Sequence, residues 1–370
     1  PRYAAQRDSG FQIFYVFINI GGLIAPFIAP MLRSWWLDVN GMVYNASFPA
    51  MCHQFLSVSD SMSNETVTQL YALATAVGHS GAQSLQEFCQ EYLNVFNTGI
   101  HYSFFASVGA MLISLIIFIS TKKGLPTPSK KEKAETVTYT AEEKRAMAGE
   151  IRQRMFALFA VLGIAIFFWF SFHQNGTSMS LFARDFVDTS TIAPEIWQAV
   201  NPFFVIVLTP VIILLFSSLA KKGKEISTPR KIAIGMGLAG IAYLFLTIYS
   251  VYMNYPSGTD FRALSEAAKA GLLSGPWVLI LYYFFMTVAE LFISPLGLSF
   301  VSKVAPKHMQ GLCQGLWLGA TAVGNLMLWI GPLIYNKAPI WVAWSVFLAV
   351  CIISMGIMFA MVKWLERVTK

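Results

Sequence analysis

Residues 278–300, VLILYYFFMTVAELFISPLGLSF, carry a single charged side chain, Glu290, in the middle of 23 residues. About 20 predominantly apolar residues suffice for a helix to cross the hydrocarbon core of a bilayer, so this stretch reads as a membrane span with a carboxylate at its centre. A charge at that depth costs roughly 2.5 kcal/mol or more on insertion scales, and membrane proteins keep one mainly where it does a job. A proton or a cationic ligand would neutralise the group and make it tolerable. A carboxylate that merely locks two helices together is the plainer reading; passage of a solute along the bundle is the sharper one, and the pattern points to it.

Outward from this stretch the same pattern recurs. Apolar segments of spanning length lie at 11–36, 101–120, 155–178, 197–219, 231–253, 277–301, 312–335 and 340–362. The chain is 56% hydrophobic and 12% charged, about half the charge of a soluble domain. The fold class expected is therefore an all-α polytopic membrane protein with eight spans. The net charge of +7 sorts by loop rather than forming a nucleic-acid surface. Alternate loops collect 21 lysines and arginines on one side, including the clusters at 122–154 and 221–231. The other side has five: Arg33, Arg184, Arg262, Lys269 and Lys337. By the positive-inside tendency the first side is cytoplasmic, which puts both ends of this chain inside and residues 38–100 outside.

The organisation expected is a membrane helix in 1–37, an extracytoplasmic insertion at 38–100, a second membrane helix at 101–120, a cytoplasmic linker at 121–154 and a six-helix bundle at 155–370. The first residues, PRYAAQRDSG, show no initiator methionine and no signal-peptide pattern, and read as a cytoplasmic loop cut open in a longer protein. The insertion is polar and helix-prone in its second half, as a small cap would be. Cys52 and Cys89 fall in it and could bridge in an oxidising compartment, or stay as two buried thiols. Cys313 and Cys351 lie inside spans and read as packing residues. Asn45-Ala-Ser and Asn64-Glu-Thr are glycosylation sequons on the correct side, a short pattern that commonly arises by chance. Six spans after a basic linker resemble one half of a twelve-helix carrier, and the other half is then four helices short.

Across the spans two ionisable groups lie away from the ends, Glu290 and His173. Histidine titrates near neutrality, so a His and a Glu on two helices of one bundle could form a proton-responsive pair; an interfacial histidine bonded to a neighbour is the alternative. Asn19, Asn201 and Asn325 are amides in apolar helices and must find partners. Helix–helix glue is the usual reason; binding is the reading for Asn19 and Asn201, and glue for Asn325. Gly311, Gly315 and Gly319 recur every four residues and predict a smooth ridge for close packing. Ser294-Pro295, one turn past Glu290, predicts a kink. The sequence holds no HExxH zinc site, no phosphate loop and no GxSxG elbow, so the reading is a non-enzyme without metal or organic cofactor.

Five motifs together resemble the proton-dependent oligopeptide transporter (POT) family of the major facilitator superfamily. They are RDSGFQIFYVFINIGGLIAP at 7–26, FFWFSFHQNGTS at 167–178, AVNPFF at 199–204, AELFISPLGLSFVSKVAP at 289–306 and GLCQGLWLGATAVGN at 311–325. In the family's order these belong to helices five, seven, eight, ten and eleven, so the eight spans would be helices five to twelve of a major facilitator fold.

The resemblance implies a proton-coupled symporter of di- and tripeptides working by alternating access, with protons as the coupling ion. Glu290 matches the glutamate that receives the peptide amino group. Asn19 and Asn201 match asparagines that bond the peptide, and Tyr15 lies one turn before Asn19. Trp169 and Trp317 match aromatic residues that shape side-chain pockets, and Ser294 is added as a neighbour of Glu290. His173 stands where peptide-transporting members usually carry a glutamate or a glutamine-rich sequence, and is assigned with Glu290 to proton coupling. Helices one to four of the same protein are the expected partners, with small peptides and the lipid bilayer of a plasma (bacterial inner) membrane. Two rival readings remain: a relative carrying nitrate or an amino-acid conjugate, and a non-transporting membrane receptor that uses the 38–100 cap.

Overall fold

The structure is a computed structural model that describes residues 7–45, 47–58, 64–124, 141–188, 194–306 and 309–369. The Pro/Ser/Lys-rich part of the linker, 125–140, lies outside the described residues. Eight helical stretches are long and apolar enough to cross a membrane: Ser9–Val39, Leu85–Gly124, Ala148–Phe186, Ile196–Lys221, Thr228–Tyr252, Trp277–Val304, Gln310–Lys337 and Ile340–Val368. Helices are the expected answer to a solvent that offers the backbone no hydrogen bonds, because each peptide group is satisfied within its own segment. The eight-span, all-α expectation is met.

The described chain falls into two compact units, Pro1–Leu23 with Val137–Lys370, and Ile24–Thr136. Helix α1, Arg7–Val39, contributes to both.

In the smaller unit, the second half of α1 is followed by α2 (Phe48–Val58), α3 (Asn64–Ala76) and α4 (Leu85–Thr121). Helix α4 opens on a capping box in which the Ser84 hydroxyl accepts from the Glu87 N–H and the Glu87 carboxylate accepts from the Ser84 N–H. Nothing in 85–100 breaks the helix, so the expected sixth span at 101–120 is the C-terminal part of a 37-residue helix. Its first turns belong to the cap, where Phe88, Cys89, Tyr92 and Leu93 join Leu37, Met42, Phe48, Cys52, Leu70, Ala74 and Val77 in a separate hydrophobic core. The Arg33 guanidinium lies over the Tyr44 ring at 4.0 Å. Gly78, at φ +119°, packs so tightly on the Gly41 carbonyl that a Cβ would sit 2.5 Å from its oxygen, so only glycine fits.

The larger unit holds α5 (Ala141–Phe172), α6 (Ser178–Phe186), α7 (Val200–Lys221), α8 (Thr228–Tyr252), two short helices α9 (Gly258–Ala263) and α10 (Glu266–Ala270), α11 (Trp277–Val304), α12 (Gln310–Leu326), α13 (Ile330–Lys337) and α14 (Ile340–Thr369). Helix α8 is the hub and packs on both α11 and α14; α12 and α14 pack on α5, and α7 on α11. Small residues on α8 allow this: Gly235 abuts Ile293 and Phe292, and Gly240 faces Cys351. Helix α11 runs through Pro295 as one continuous helix.

Two of the spans are interrupted. Between α5 and α6 the chain tightens into a 3₁₀ turn at His173–Gly176, and between α12 and α13 it turns at residues 327–329. At the far end of α6, Asp185 is buried and accepts from Arg184, from Arg262 at 3.2 Å and from the Tyr335 hydroxyl at 3.0 Å. This network ties α6 to α9 and α13.

Candidate functional site

Glu290 lies on the face of α11 turned toward α7 and the first half of α1, and is 3% exposed. Tyr15 donates its hydroxyl to one carboxylate oxygen. Asn201 Nδ2 donates to the other at 2.8 Å and also to the Thr287 hydroxyl at 2.9 Å. Position 201 is at the start of α7, and α1 approaches here because Gly22 rests against the Pro202 ring. All hydrogen bonds to Glu290 found among the described residues come from neutral groups, and none of the ion pairs found there involves it. Neutral donors stabilise a buried carboxylate only in part, and an unmatched charge in an apolar interior is disfavoured. The arrangement therefore suits a carboxyl that takes up a proton or an ammonium group.

Around this centre the other expected residues take different places. Asn19 is 7% exposed, and its amide donates back to the Tyr15 carbonyl at 2.9 Å, within its own helix. Ser294 is buried one turn from Glu290, and its hydroxyl has no hydrogen-bond partner among the described residues. Trp317 is buried with its ring against Gly297 of α11, where a Cβ would come within 2.0 Å of the indole.

A second cluster forms where α5 and α12 cross. His173 Nδ1 is 2.6 Å from the Asn325 side-chain oxygen. The ring stacks on Trp169, with centroids 5.0 Å apart and planes 22° apart. A carbonyl oxygen only accepts, so Nδ1 carries the hydrogen in this contact and Nε2 is the atom that can gain or lose a proton. The close crossing depends on Gly324, which lies against the backbone of α5 at Ile166 and Phe170. Gln174 fastens the two interruptions to each other. Its amide nitrogen donates to the Phe170 and Leu328 carbonyls, and its oxygen accepts from the Thr177 and Ser178 hydroxyls. No hydrogen bond or ring contact joins His173 to Glu290 among the described residues, so the two ionisable groups sit in separate clusters.

The structure adds Thr287, Gln174 and Gln12 to the residues singled out in the sequence, and gives Asn325 a specific partner. Asn325, read as glue, is the direct partner of His173. Thr287 sits one turn before Glu290 and shares Asn201 with it; threonine is common in helices and gave no signal. Gln174 is part of the polar run HQNGTS, which stands out inside an apolar span. Gln12 is 2% exposed, one turn before Tyr15 on α1, and its amide nitrogen has no partner among the described residues. The ridge of Gly311, Gly315 and Gly319 is a correction: a Cβ at any of them would meet nothing within 4 Å, while Gly297, Gly324 and Gly331 make the close approaches.

The family model for PTR2, the POT family, matches residues 1–340. The peptide transporter YePEPT of Yersinia enterocolitica subsp. palearctica is 28% identical over 347 residues, which is 87% of this chain and 60% of the relative. Dipeptide and tripeptide permease B of Salmonella typhimurium is 32% identical over 180 residues, covering 48% of this chain and 34% of the permease. A crystal structure of a peptide transporter POT in complex with sulfate superposes with a TM-score of 0.54 at 18% identity, over 95% of this chain and 86% of that one. At that identity the likeness speaks for the fold alone, an all-helical membrane protein. The chain spans about 60% of the length of the curated relative YePEPT.

Proposed function

Since the chain belongs to the POT family, we propose that the protein it represents is a proton-coupled symporter of di- and tripeptides, working by alternating access. The observation that carries this reading is Glu290, buried at the middle of a span and held, among the described residues, by the neutral donors Tyr15 and Asn201. An ammonium group arriving from a peptide would supply the missing positive charge. The unpartnered amide of Gln12 and hydroxyl of Ser294 offer further hydrogen bonds to the peptide, and Asn19 can turn its amide away from the Tyr15 carbonyl to do the same. Trp169 and Trp317 would shape the side-chain pockets, and His173 would carry the coupling proton at Nε2. Protons are the only coupling ion this scheme needs.

The cycle is assigned to the whole protein, with helices one to four completing the amino-terminal bundle. Its place is the plasma membrane, the inner membrane if the source is bacterial. The loop charges, 21 basic residues against five, support the reading with both ends of this chain in the cytoplasm and the cap outside.

The test is uptake of a labelled dipeptide into proteoliposomes of the full-length protein, with and without an inward proton gradient. Gradient-driven accumulation is expected, and it should fall at least tenfold in Glu290→Gln. Unchanged uptake by that variant would overturn the assignment. Absence of dipeptide uptake would favour an anionic or conjugated substrate such as nitrate, with His173 in its binding site. Loss of a signalling function on deletion of 38–100, with no uptake of any solute, would favour the receptor.

A further inference from the structure

The transport reading makes no use of Cys52 and Cys89. Cys52 lies on α2 and Cys89 in the second turn of α4, and both are fully buried in the cap core. Their sulfur atoms are 2.8 Å apart. The structure holds them as two free thiols in direct contact. The surrounding contacts hold them there. Phe48, one turn before Cys52, stands edge-on to Tyr92 with centroids 4.7 Å apart and lies 5.9 Å from Phe88, the neighbour of Cys89. The Tyr92 hydroxyl donates to the Val43 carbonyl and accepts from the Asn45 N–H. The Asn45 side-chain oxygen in turn accepts from the Ser47 and Phe48 N–H groups, which starts α2. Helices α2 and α4 are thus aligned by aromatic packing and backbone bonds on both sides of the sulfur pair.

We infer that Cys52 and Cys89 are a site of oxidative modification, joined in the mature protein by a disulfide that staples α2 to the outer end of α4. The inference rests on the proposed sidedness, which puts the cap in a disulfide-permissive compartment. Helix α4 and the turn that follows run for 40 residues, Leu85–Gly124, about twice what the hydrocarbon core needs, so its first turns stand outside the bilayer with the cap.

The chemistry is a dithiol oxidation. One cysteine, as thiolate, attacks the disulfide of an oxidised thiol–disulfide oxidoreductase and forms a mixed disulfide. The second displaces it, closing the S–S bond and leaving the oxidant as a dithiol. Two protons and two electrons leave the cysteine pair, and the oxidant takes up both. Because the folded cap buries both sulfurs, the bond forms before the cap closes and resists reductants until the cap unfolds. It is a structural staple rather than a switch.

The experiment uses full-length protein in its native membrane, solubilised without reductant, denatured in the presence of an alkylating agent, digested and analysed by mass spectrometry. The expected result is a peptide cross-linked between 52 and 89, split by reductant only after denaturation, with Cys313 and Cys351 alkylated. Alkylated Cys52 and Cys89 would overturn the inference. A parallel arm places a single reporter, Ala82→Cys in a Cys52→Ser/Cys89→Ser background, and labels intact cells with a membrane-impermeant maleimide. Labelling there, with free thiols in the parent, removes the staple and keeps the sidedness. Failure of labelling under conditions that label a known outer cysteine overturns both.

Discussion

Asn201 gives one amide hydrogen to Glu290 and the other to Thr287, so it serves the carboxylate twice, directly and by fixing a neighbour. Asn201→Leu would leave Tyr15 as the remaining donor to Glu290. Removing a hydrogen bond to a buried charged group costs about 1.5–3 kcal/mol, roughly ten- to a hundredfold in an equilibrium constant. The expected outcome is a loss of that size in dipeptide uptake at neutral external pH, measured as kcat/KM. A protonated carboxyl has less need of donors, so the ratio of variant to wild-type uptake should rise as the external pH falls. A flat ratio would show that Asn201 does not support the charged form. At this scale legibility followed rarity. Glu290 stood out because nothing else charged surrounds it, and Tyr15 and Asn201 because they lie in specific motifs. Thr287 and Gln12 act through where their helices turn, which the residue types alone do not disclose.

Glycines show what was hidden at the level of helices. Their spacing at 311, 315 and 319 describes a smooth face of α12, but periodicity does not say which face meets a neighbour. The contact falls elsewhere. A Cβ at Gly331 would come within 2.0 Å of the Gln174 side-chain oxygen and 2.3 Å of the Ser178 hydroxyl, at the meeting of α13 with α6. Gly331→Ala should therefore push these elements apart and disturb the Gln174 bonds, at a cost of about 1–3 kcal/mol for overpacking. Gly319→Ala meets nothing within 4 Å and replaces a poor helix former by a good one, worth roughly 0.5–1 kcal/mol. The melting temperature of the detergent-solubilised protein should fall for Gly331→Ala and stay level or rise for Gly319→Ala. A lower value for Gly319→Ala and an unchanged one for Gly331→Ala would reverse this assignment of the packed face. The helix interruptions were half visible for a similar reason. HQNGTS is polar enough to mark the break before α6, whereas NLMLWIG, around the turn before α13, reads as continuous span.

Across the whole molecule the eight spans were legible because a bilayer allows few backbone solutions and the charges between spans sort by side. What the pattern did not contain was the separation of its two ionisable groups. His173 meets Asn325 and Trp169 at the crossing of α5 and α12, while Glu290 meets Tyr15 and Asn201. Separate clusters suit the separate tasks of the proposed cycle, in which a proton would be taken up at His173 Nε2 and an ammonium at Glu290. A protonated His173 ring would lie over the Trp169 indole one turn earlier in the same span, a cation–π contact worth about 0.5–2 kcal/mol, and would be held where it meets Asn325 of α12. Loss of the proton would release that contact and free the ring to turn away from Asn325. His173→Gln keeps a side chain that can bond Asn325 but cannot carry the proton. In proteoliposomes of the full-length protein this variant should still exchange labelled for unlabelled dipeptide in counterflow, where no net proton movement is needed. It should fail to accumulate dipeptide against a gradient when protons are driven inward. Accumulation at the wild-type level would move the coupling proton to another group, whereas loss of counterflow as well would make His173 part of the peptide site itself.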